Sequence, residues 1–151
     1  MASSRAIPVD VPTAFARTLP LPLPTFFDQG YEPMGPVRET RGQTGEWGTV
    51  GQTRTVVQAG GTTLLEELTR VDPPDAFGYT LTEITGPLAP LIDHVEGEWL
   101  FAPAGTGTEV TWRWTVYPKS AVGALALPVF DRLWHGFARQ SLERLSAELL
   151  R

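Results

Sequence analysis

Apolar and polar residues alternate with a period of two from Val37 to Tyr117, and turn-forming residues interrupt the alternation at strand-like intervals. This pattern predicts six strands, near residues 36–43, 48–58, 62–71, 77–85, 94–103 and 108–117. The turns between them are predicted at Gly45–Gly48, Gly60–Gly61, Asp72–Asp75 and Gly105–Gly107. The Gly60–Gly61 pair suits a two-residue hairpin turn, because glycine adopts the positive φ angles that such a turn needs.

The residues before this region predict one strand and two short helices. Ser4–Val9 is predicted to form a first strand, and Pro12 suits the first turn of a helix that Asp10 caps. Alternating prolines then follow Leu19 and cannot continue a helix. We therefore expect a kinked connection there, with a second short helix near Thr25–Gln29.

The C-terminal segment changes to a helical period. After Pro128, one face of the predicted helix carries Phe130, Leu133, Trp134, Phe137, Ser141, Leu145 and Leu149. About 22 residues at 1.5 Å each give roughly 33 Å of helix, which is enough to span a small sheet. Pro128 is expected to mark the start of this helix or a kink in it.

A run of strands followed by one long amphipathic helix favours an α+β fold, in which one sheet face packs against the helix. The residues expected to point inward are Phe77, Tyr79, Leu81, Val95, Trp99, Phe101, Val110, Trp112, Trp114 and Val116. The length of 151 residues fits a single domain, so one domain over residues 1–151 is expected.

Composition narrows the possible functions. Hydrophobic residues make up 42% of the chain and charged residues 19%, which is typical of a globular protein. The absence of cysteine excludes disulfides, thiolate catalysis and cysteine-ligated metals. A net charge of −5 without a run of Lys or Arg argues against nucleic-acid binding.

No segment has the pattern of a targeting or membrane-spanning sequence. Met1–Asp10 lacks the apolar stretch of a signal peptide. The most apolar window, Ala121–Phe130, is shorter than the roughly 20 residues needed to cross a bilayer. We therefore expect a cytoplasmic protein with no integral membrane segment.

Several short motifs occur in the order and spacing of a known superfamily. They are Trp47-Gly-Thr-Val-Gly-Gln-Thr-Arg-Thr-Val56, Gly60-Gly61, Glu66-Glu67, Asp72-Pro-Pro74, Phe77-Gly-Tyr79 and Gly107-Thr-Glu-Val-Thr-Trp112. With these motifs the chain resembles the START-like superfamily (SRPBCC, or birch-pollen-allergen-like), in its bacterial polyketide cyclase/dehydrase-like branch. The similarity extends from about Val9 to Leu150.

The resemblance implies a helix-grip fold. In that fold a seven-stranded antiparallel sheet wraps around a long C-terminal helix, and two short helices follow the first strand. The resemblance also implies a cavity between helix and sheet that accepts apolar or aromatic, lipid- or polyketide-like molecules. Members of this superfamily differ widely in function, so the fold alone does not supply one.

Aromatic residues are the first candidates for contact with such a ligand. They are Tyr79, Trp99, Trp112, Trp114, Trp134 and Phe137. Tryptophan suits ligand cavities that need an N–H donor, and five tryptophans are many for a chain of 151 residues. The alternative is that these side chains form an ordinary packed core.

Charged residues on the same strand faces form a second candidate group. Arg54 shares a face with Val50 and Val56, and a guanidinium inside an apolar chamber needs a partner. Glu67 is the preferred partner and Glu66 is the other candidate. Glu83 has the same position in the strand alternation as Tyr79, so its side chain could join this group. Together they are predicted to bind a ligand carboxylate, carbonyl or hydroxyl. The alternative is an ion pair at the rim of the sheet.

No cofactor or metal is expected. His94 and His135 are the only histidines, and neither belongs to a spaced metal-binding motif. The chain contains no Gly-x-Ser-x-Gly motif, which is the motif typical of serine hydrolases of the α/β-hydrolase fold.

Two functions from different classes remain after these exclusions. The first is a binding protein or carrier that holds an apolar or aromatic small molecule without chemistry. The second is a cyclase- or isomerase-like enzyme for an aromatic or polyketide-like substrate, with Arg54, Glu67 or Tyr79 as acid–base candidates. A structural role in binding a partner, as a monomer or homodimer, is the third possibility.

Three connections of the predicted sheet should meet at one of its ends, because antiparallel strands reverse direction at each turn. They are Gly60–Gly61, Gly86–Ile92 and Pro118–Pro128. Leu88, Leu91 and Leu125 lie in the last two, where polar residues are usual. We predict that they form a hydrophobic portal to the cavity. The alternatives are an inward-facing cap on the core and a dimer interface.

Overall fold

A seven-stranded antiparallel sheet packs against a long C-terminal helix in the computed structural model, which describes residues 1–31 and 34–151. The elements are β1 Ala2–Ile7, α1 Val11–Thr18, α2 Leu23–Phe26, β2 Val37–Arg41, β3 Thr53–Gln58, β4 Thr63–Asp72, β5 Ala76–Thr82, β6 Ile92–Ala104, β7 Gly107–Pro118 and α3 Ala121–Leu149. The strands lie in the order β1-β7-β6-β5-β4-β3-β2. The predicted α+β helix-grip fold is confirmed.

The segment between β1 and β2 forms two short helices, as expected. Asp10 caps α1, since its Oδ2 atom accepts a hydrogen bond from the Thr13 backbone N–H at 3.1 Å. The second helix, α2, starts two residues earlier than predicted, with Pro24 in its first turn. The kinked connection between them brings Leu19, Leu21 and Leu23 to the sheet side of the molecule, where they line a cavity.

The connection between β2 and β3 is longer than the sequence predicted, because β3 begins at Thr53 and not near residue 48. One side chain organises this loop. Gln52 Oε1 accepts hydrogen bonds from the backbone N–H groups of Gly48 and Thr49, both at 2.7 Å, and its Nε2 donates to two loop carbonyls. The loop thereby folds back over the sheet and buries Trp47, which is 2% exposed.

The turn between β3 and β4 has three residues, not the predicted two. Gln58 N–H donates to the Thr62 carbonyl at 2.9 Å, and Ala59, Gly60 and Gly61 form the turn. Both glycines have positive φ, 94° and 89°. The extra residue moves the pairing of the two strands by one position, which changes the side chains that face each other.

The last helix starts well before the predicted position. Ser120 caps its N-terminus, and Pro128 lies inside the 29-residue helix and not at its boundary. Proline lacks the N–H that would bond to the Ala124 carbonyl, but both residues are exposed, so water can satisfy that carbonyl. The region Pro118–Pro128 is therefore mostly helix, not a loop.

One face of α3 is buried along its length. Its buried residues are Gly123, Phe130, Trp134, Gly136, Phe137, Ala138, Ser141, Leu142, Leu145, Ser146 and Leu149. They pack mainly against β1, β7, α1 and α2, and not against the central strands. The helix therefore closes one side of the sheet and leaves space above β3, β4 and β5.

The start of α3 lies close to the connection between β5 and β6. Lys119 N–H donates to the Leu91 carbonyl at 3.0 Å, and a Cβ atom at Gly123 would overlap the same carbonyl. Gly86 lies against the backbone of Gly61. The three connections expected at one end of the sheet do therefore meet there.

Replacing Gly123 with Ala tests this close approach. Alanine usually stabilises a helix by about 0.5–1 kcal/mol relative to glycine. Here the new methyl group meets fixed backbone, so we expect Gly123→Ala to lower the free energy of unfolding by about 1–3 kcal/mol, as other overpacked sites do. Urea denaturation of the purified protein measures the change.

Gly136→Ala is the matched control in the same helix. A Cβ there would meet only the outer atoms of the Tyr31 side chain, which can rotate away. We expect this substitution to cost clearly less than Gly123→Ala. Equal costs at the two positions would show that the Leu91 backbone is not the obstacle.

Candidate functional site

A cavity of about 80 Å³ lies between the sheet and the helices. Its aromatic lining residues are Phe26, Phe27, Trp47, Phe77, Tyr79, Trp99, Trp112, Trp114, Phe130 and Phe137. Its polar lining residues are Thr18, Arg54, Gln58 and Glu66, together with the hydroxyl group of Tyr79. A mostly apolar wall with a few polar groups is typical of small-molecule sites.

The structure places five of the six predicted aromatic candidates on the cavity wall. They are Tyr79, Trp99, Trp112, Trp114 and Phe137. Trp134 lies behind them, fully buried, with its ring centroid 5.0 Å from that of Trp112. Its indole Nε1 has no hydrogen-bond acceptor among the described residues. Trp134 therefore packs in the core behind the cavity wall.

Tyr79 is joined to two tryptophans by hydrogen bonds. Its hydroxyl oxygen accepts from Trp112 Nε1 at 2.7 Å and from Trp114 Nε1 at 2.8 Å. Tyr79 is on β5 and both tryptophans are on β7, so these bonds cross the intervening strand β6.

A glycine on β6 makes this crossing possible. Gly97 pairs with Tyr79 on one side and with Trp114 on the other. A Cβ atom at Gly97 would overlap the outer ring atoms and the hydroxyl of Tyr79. The tyrosine ring therefore lies directly over the glycine, and its position is fixed by backbone below and by indoles at its tip.

The surroundings of Tyr79 keep it protonated. Burial raises the pKa of Tyr79 above its ordinary value of 10, and the negative charge of Glu66 adds to the rise. The two indole hydrogen bonds and Arg54 oppose this effect only in part. At neutral pH the residue is a neutral phenol, not a base.

A buried ion pair forms the second polar part of the wall. Arg54 Nε donates to Glu66 Oε1 at 2.7 Å, and the two side chains are 3% and 6% exposed. Arg54 Nη1 also donates to Gln43 Oε1 at 3.2 Å. The guanidinium carbon lies 3.9 Å from the ring centroid of Trp47, which adds a cation–π contact.

The predicted pairing of Arg54 with Glu67 is wrong. In the observed register Arg54 faces Glu66 directly, and Glu67 points to solvent from the opposite face of the sheet. The three-residue turn explains this outcome, because a two-residue turn at Gly60–Gly61 would have paired Arg54 with Glu67.

Burial also acts on the carboxyl group of the pair. It raises the pKa of Glu66 above its ordinary value of 4.5, and the charge and hydrogen bond of Arg54 oppose the rise. With both groups charged, the pair adds no net charge to the cavity. Glu66 is thus held next to its cation on an otherwise apolar wall.

Glu83 does not join this cluster. Strand β5 ends at Thr82, and Glu83 has a φ of 49°, so the alternation that was expected to turn it inward is broken. The side chain is exposed and does not line the cavity.

The three predicted portal residues lie in different surroundings. Leu88 is half-buried and lines the cavity. Leu91 packs against the start of α3, near Gly123. Leu125 is 81% exposed on the outer face of α3, because the segment that was expected to be a loop is helical. Leu125 therefore has no place in the cavity wall.

Trp47, Phe26 and Phe27 also line the cavity, although the sequence pattern does not predict them as cavity residues. Trp47 was assigned to a hairpin turn, although a large apolar residue between glycines is unusual in a turn. Phe26 and Phe27 follow a proline-rich segment without periodicity, so their direction was not readable. Phe27 stacks on Phe137 with ring centroids 5.6 Å apart.

Within residues 1–31 and 34–151, no three metal-ligating side chains come together. Among the same residues, no helix combines the length and apolar character needed to cross a membrane.

Comparison with known proteins identifies related sequences and folds. The family described as "Polyketide cyclase / dehydrase and lipid transport" matches residues 3–150. No curated protein sequence matches the chain.

Several solved structures are similar over nearly their whole length. Ara h 8.0201 is 14% identical, with a TM-score of 0.68 over 99% of this chain and 96% of that one. Ginseng major latex-like protein 151 from Panax ginseng is 16% identical, with a TM-score of 0.67 over 100% and 97%. A third, TTHA0849 from Thermus thermophilus, is 19% identical, with a TM-score of 0.65 over 99% and 96%. At these identities the likeness shows the fold alone.

The buried ion pair gives a test by substitution. Arg54→Met leaves Glu66 buried without its partner, so we expect a loss of about 3–5 kcal/mol in the free energy of unfolding at neutral pH. Arg54→Met combined with Glu66→Leu should recover most of this loss, because apolar side chains of similar volume replace a buried pair at little cost. Arg41→Met, at an exposed ion pair, should stay within about 0.5 kcal/mol of wild type.

The cost of Arg54→Met should also depend on pH. Without the guanidinium, the pKa of Glu66 in the folded state rises further above the unfolded value of 4.5. The stability contribution of such a group is present below the unfolded pKa and is lost as pH rises through the folded pKa. The single variant should therefore be closest to wild type below pH 4.5 and fall behind as pH rises to about 7. A pH-independent difference from the double variant would contradict burial of an ionisable Glu66.

Proposed function

The chain belongs to the polyketide cyclase/dehydrase and lipid transport family, and from that premise we propose that it binds an apolar or aromatic small molecule between its sheet and its C-terminal helix. The observation that carries this proposal is the cavity, whose wall is apolar and rich in aromatic residues apart from a few polar groups. The aromatic wall supplies affinity by excluding water from the ligand, and the polar cluster supplies orientation.

The polar cluster still has hydrogen-bonding capacity for a ligand. Arg54 carries five N–H donors, of which one is bound to Glu66 and one to Gln43 among the described residues. Tyr79 adds a hydroxyl group. A ligand with one polar end is therefore favoured over a pure hydrocarbon.

The size of the cavity limits what binds without movement of the wall. An apolar cavity of about 150 Å³ holds benzene in another protein. The cavity here is about 80 Å³, so even a ligand with one aromatic ring needs some displacement of the lining, and a ligand of lipid size needs more. The residues that can move most easily are half-buried: Leu19, Leu21 and Leu23 before and in α2, and Ile84 and Leu88 in the connection from β5 to β6.

We place the entrance at Leu88 for two reasons. It lines the cavity and is also partly exposed, so it separates the interior from solvent. It also lies in a connection between strands and not in a strand, and such segments move more readily than the sheet.

Binding without chemistry is favoured over a cyclase- or isomerase-like reaction. Of the acid–base candidates, Glu67 is on the outer face of the sheet. Tyr79 is kept protonated, and Arg54 is held in an ion pair. The cavity thus offers hydrogen-bond donors and an apolar surface, and Glu66, the carboxylate among its described lining residues, is held in the ion pair with Arg54.

Binding is tested with two neutral apolar probes, toluene and the larger dye N-phenyl-1-naphthylamine. Each should quench the tryptophan emission and raise the melting temperature of the wild-type protein, because a ligand that binds only the folded state stabilises it. If neither probe changes emission or melting temperature at saturation, the proposal is wrong.

A pair of Val→Phe variants locates the binding site. Val56 is 3% exposed and lines the cavity, so Val56→Phe should fill it and weaken binding of both probes by about ten-fold or more, which is roughly 1.4 kcal/mol. Val50 is 55% exposed, and Val50→Phe should leave affinity unchanged. Equal affinities in the two variants would place the probes elsewhere.

The entrance is tested by the rates of dye uptake and release in stopped-flow fluorescence. Leu88→Ser replaces an apolar side chain by a smaller polar one, so both rates should increase. Leu125→Ser is the control on the exposed face of α3 and should leave both unchanged. Unfolding of the Leu88 variant would instead show that this residue caps the core, and a change of oligomeric state in the Leu125 variant would support the dimer interface.

A further inference from the structure

We propose that the Tyr79 hydroxyl is a fixed hydrogen-bond donor in the cavity, and that it selects apolar ligands bearing a neutral carbonyl group. The inference rests on the proposed binding function and adds the chemical class of the ligand. It is carried by the arrangement of Tyr79, Trp112, Trp114 and Gly97.

The phenol oxygen is already occupied as an acceptor. A hydroxyl group has two acceptor positions and one hydrogen to donate. Trp112 and Trp114 fill the acceptor positions, since an indole N–H can only donate. The Tyr79 hydrogen itself has no acceptor among the described residues, although the side chain is only 7% exposed and faces the cavity.

A buried donor without a partner is unfavourable, and an acceptor on a ligand relieves that cost. The two indole donors also polarise the hydroxyl group, because hydrogen bonds in a chain strengthen one another. The ring is held over Gly97, so the donor direction is set before the ligand arrives. Such preorganisation increases affinity for a ligand whose acceptor lies in the right place.

A second hydroxyl on the same wall also has unused hydrogen-bonding capacity. Thr18 is 3% exposed, lines the cavity, and its Oγ1 has no hydrogen-bond partner among the described residues. The Thr18 hydroxyl can donate or accept, so it can bind a second oxygen of the same ligand beside the acceptor that Tyr79 requires.

The charges near Tyr79 favour a neutral acceptor over a carboxylate. The carboxylate of Glu66 is close enough to influence Tyr79, and Arg54 is already neutralised by it. An anionic ligand would bring a second negative charge into a buried site without a free counter-ion among the described residues, which is costly. A ketone or aldehyde oxygen accepts the hydrogen bond without that cost.

Three small probes of similar shape separate these possibilities: acetophenone with a neutral carbonyl, ethylbenzene with no acceptor, and benzoate with a negative charge. Their affinities are measured by titration calorimetry or by NMR on wild type and on Tyr79→Phe. The ratio of the acetophenone and ethylbenzene affinities is compared between the two proteins, so that the different hydration of the probes cancels.

We expect Tyr79→Phe to lower this ratio by about two- to ten-fold, the range of one net hydrogen bond. Structural damage from the substitution would weaken both probes alike and leave the ratio unchanged. An unchanged ratio with both probes bound overturns the donor assignment, and tighter binding of benzoate than of acetophenone overturns the preference for a neutral ligand. If no probe binds wild type, the proposed binding function itself fails.

A spectroscopic measurement on the wild-type protein does not depend on the variant folding. The infrared stretch of carbonyl-labelled acetophenone should lie at lower frequency when bound than in hexane, since a donated hydrogen bond weakens the C=O bond. It should return towards the hexane value in Tyr79→Phe. A bound carbonyl with the hexane frequency in wild type overturns the inference.

Discussion

The pairing of Arg54 with Glu66 is the contact on which the cavity side of the sheet depends. A guanidinium that points into an apolar space is tolerated only with a matched acceptor, and the observed register of β3 and β4 supplies Glu66 as that acceptor. That register also turns Val56 and Leu64 inward, next to the ion pair. The ion pair therefore stabilises the register that the three-residue turn between β3 and β4 sets.

A second constraint ties the centre of the sheet to α3. The Trp112 ring lies within contact distance of the rings of Phe27, Trp99, Trp134 and Phe137, and Tyr79 bonds to this group through Trp112. The aromatic cluster holds the helix over β7 and the short helices, whereas the space over β3–β5 stays open for the cavity. Packing on one side and an unfilled volume on the other follow from the same placement of α3.

The alternation of apolar residues predicted the strands and their antiparallel arrangement because period-two patterns are long and regular from β5 to β7. It did not determine the phase of β4. Leu64-Leu65 and Glu66-Glu67 are doublets, so either set of alternate residues fits an inward face, and only the turn length distinguishes the two registers.

The start of α3 could not be predicted for a different reason. Pro128 usually ends a helix, but it is tolerated here because the carbonyl that loses its N–H partner is exposed to water. The burial of Trp47 could not be predicted from the sequence pattern, because it depends on the conformation of a loop that the Gln52 side chain stabilises by hydrogen bonds.

The overlap of the Tyr79 ring with the space above Gly97 also bears on how this sequence can diverge. A side chain at position 97 is compatible with the fold only after the aromatic ring at position 79 has become smaller, and a return to tyrosine then requires glycine first. The order of substitutions is thus restricted, and neither change is neutral alone. Among descendants of this chain the two positions should covary, so that glycine at 97 accompanies a large ring at 79 and other residues appear at 97 only where that ring is lost.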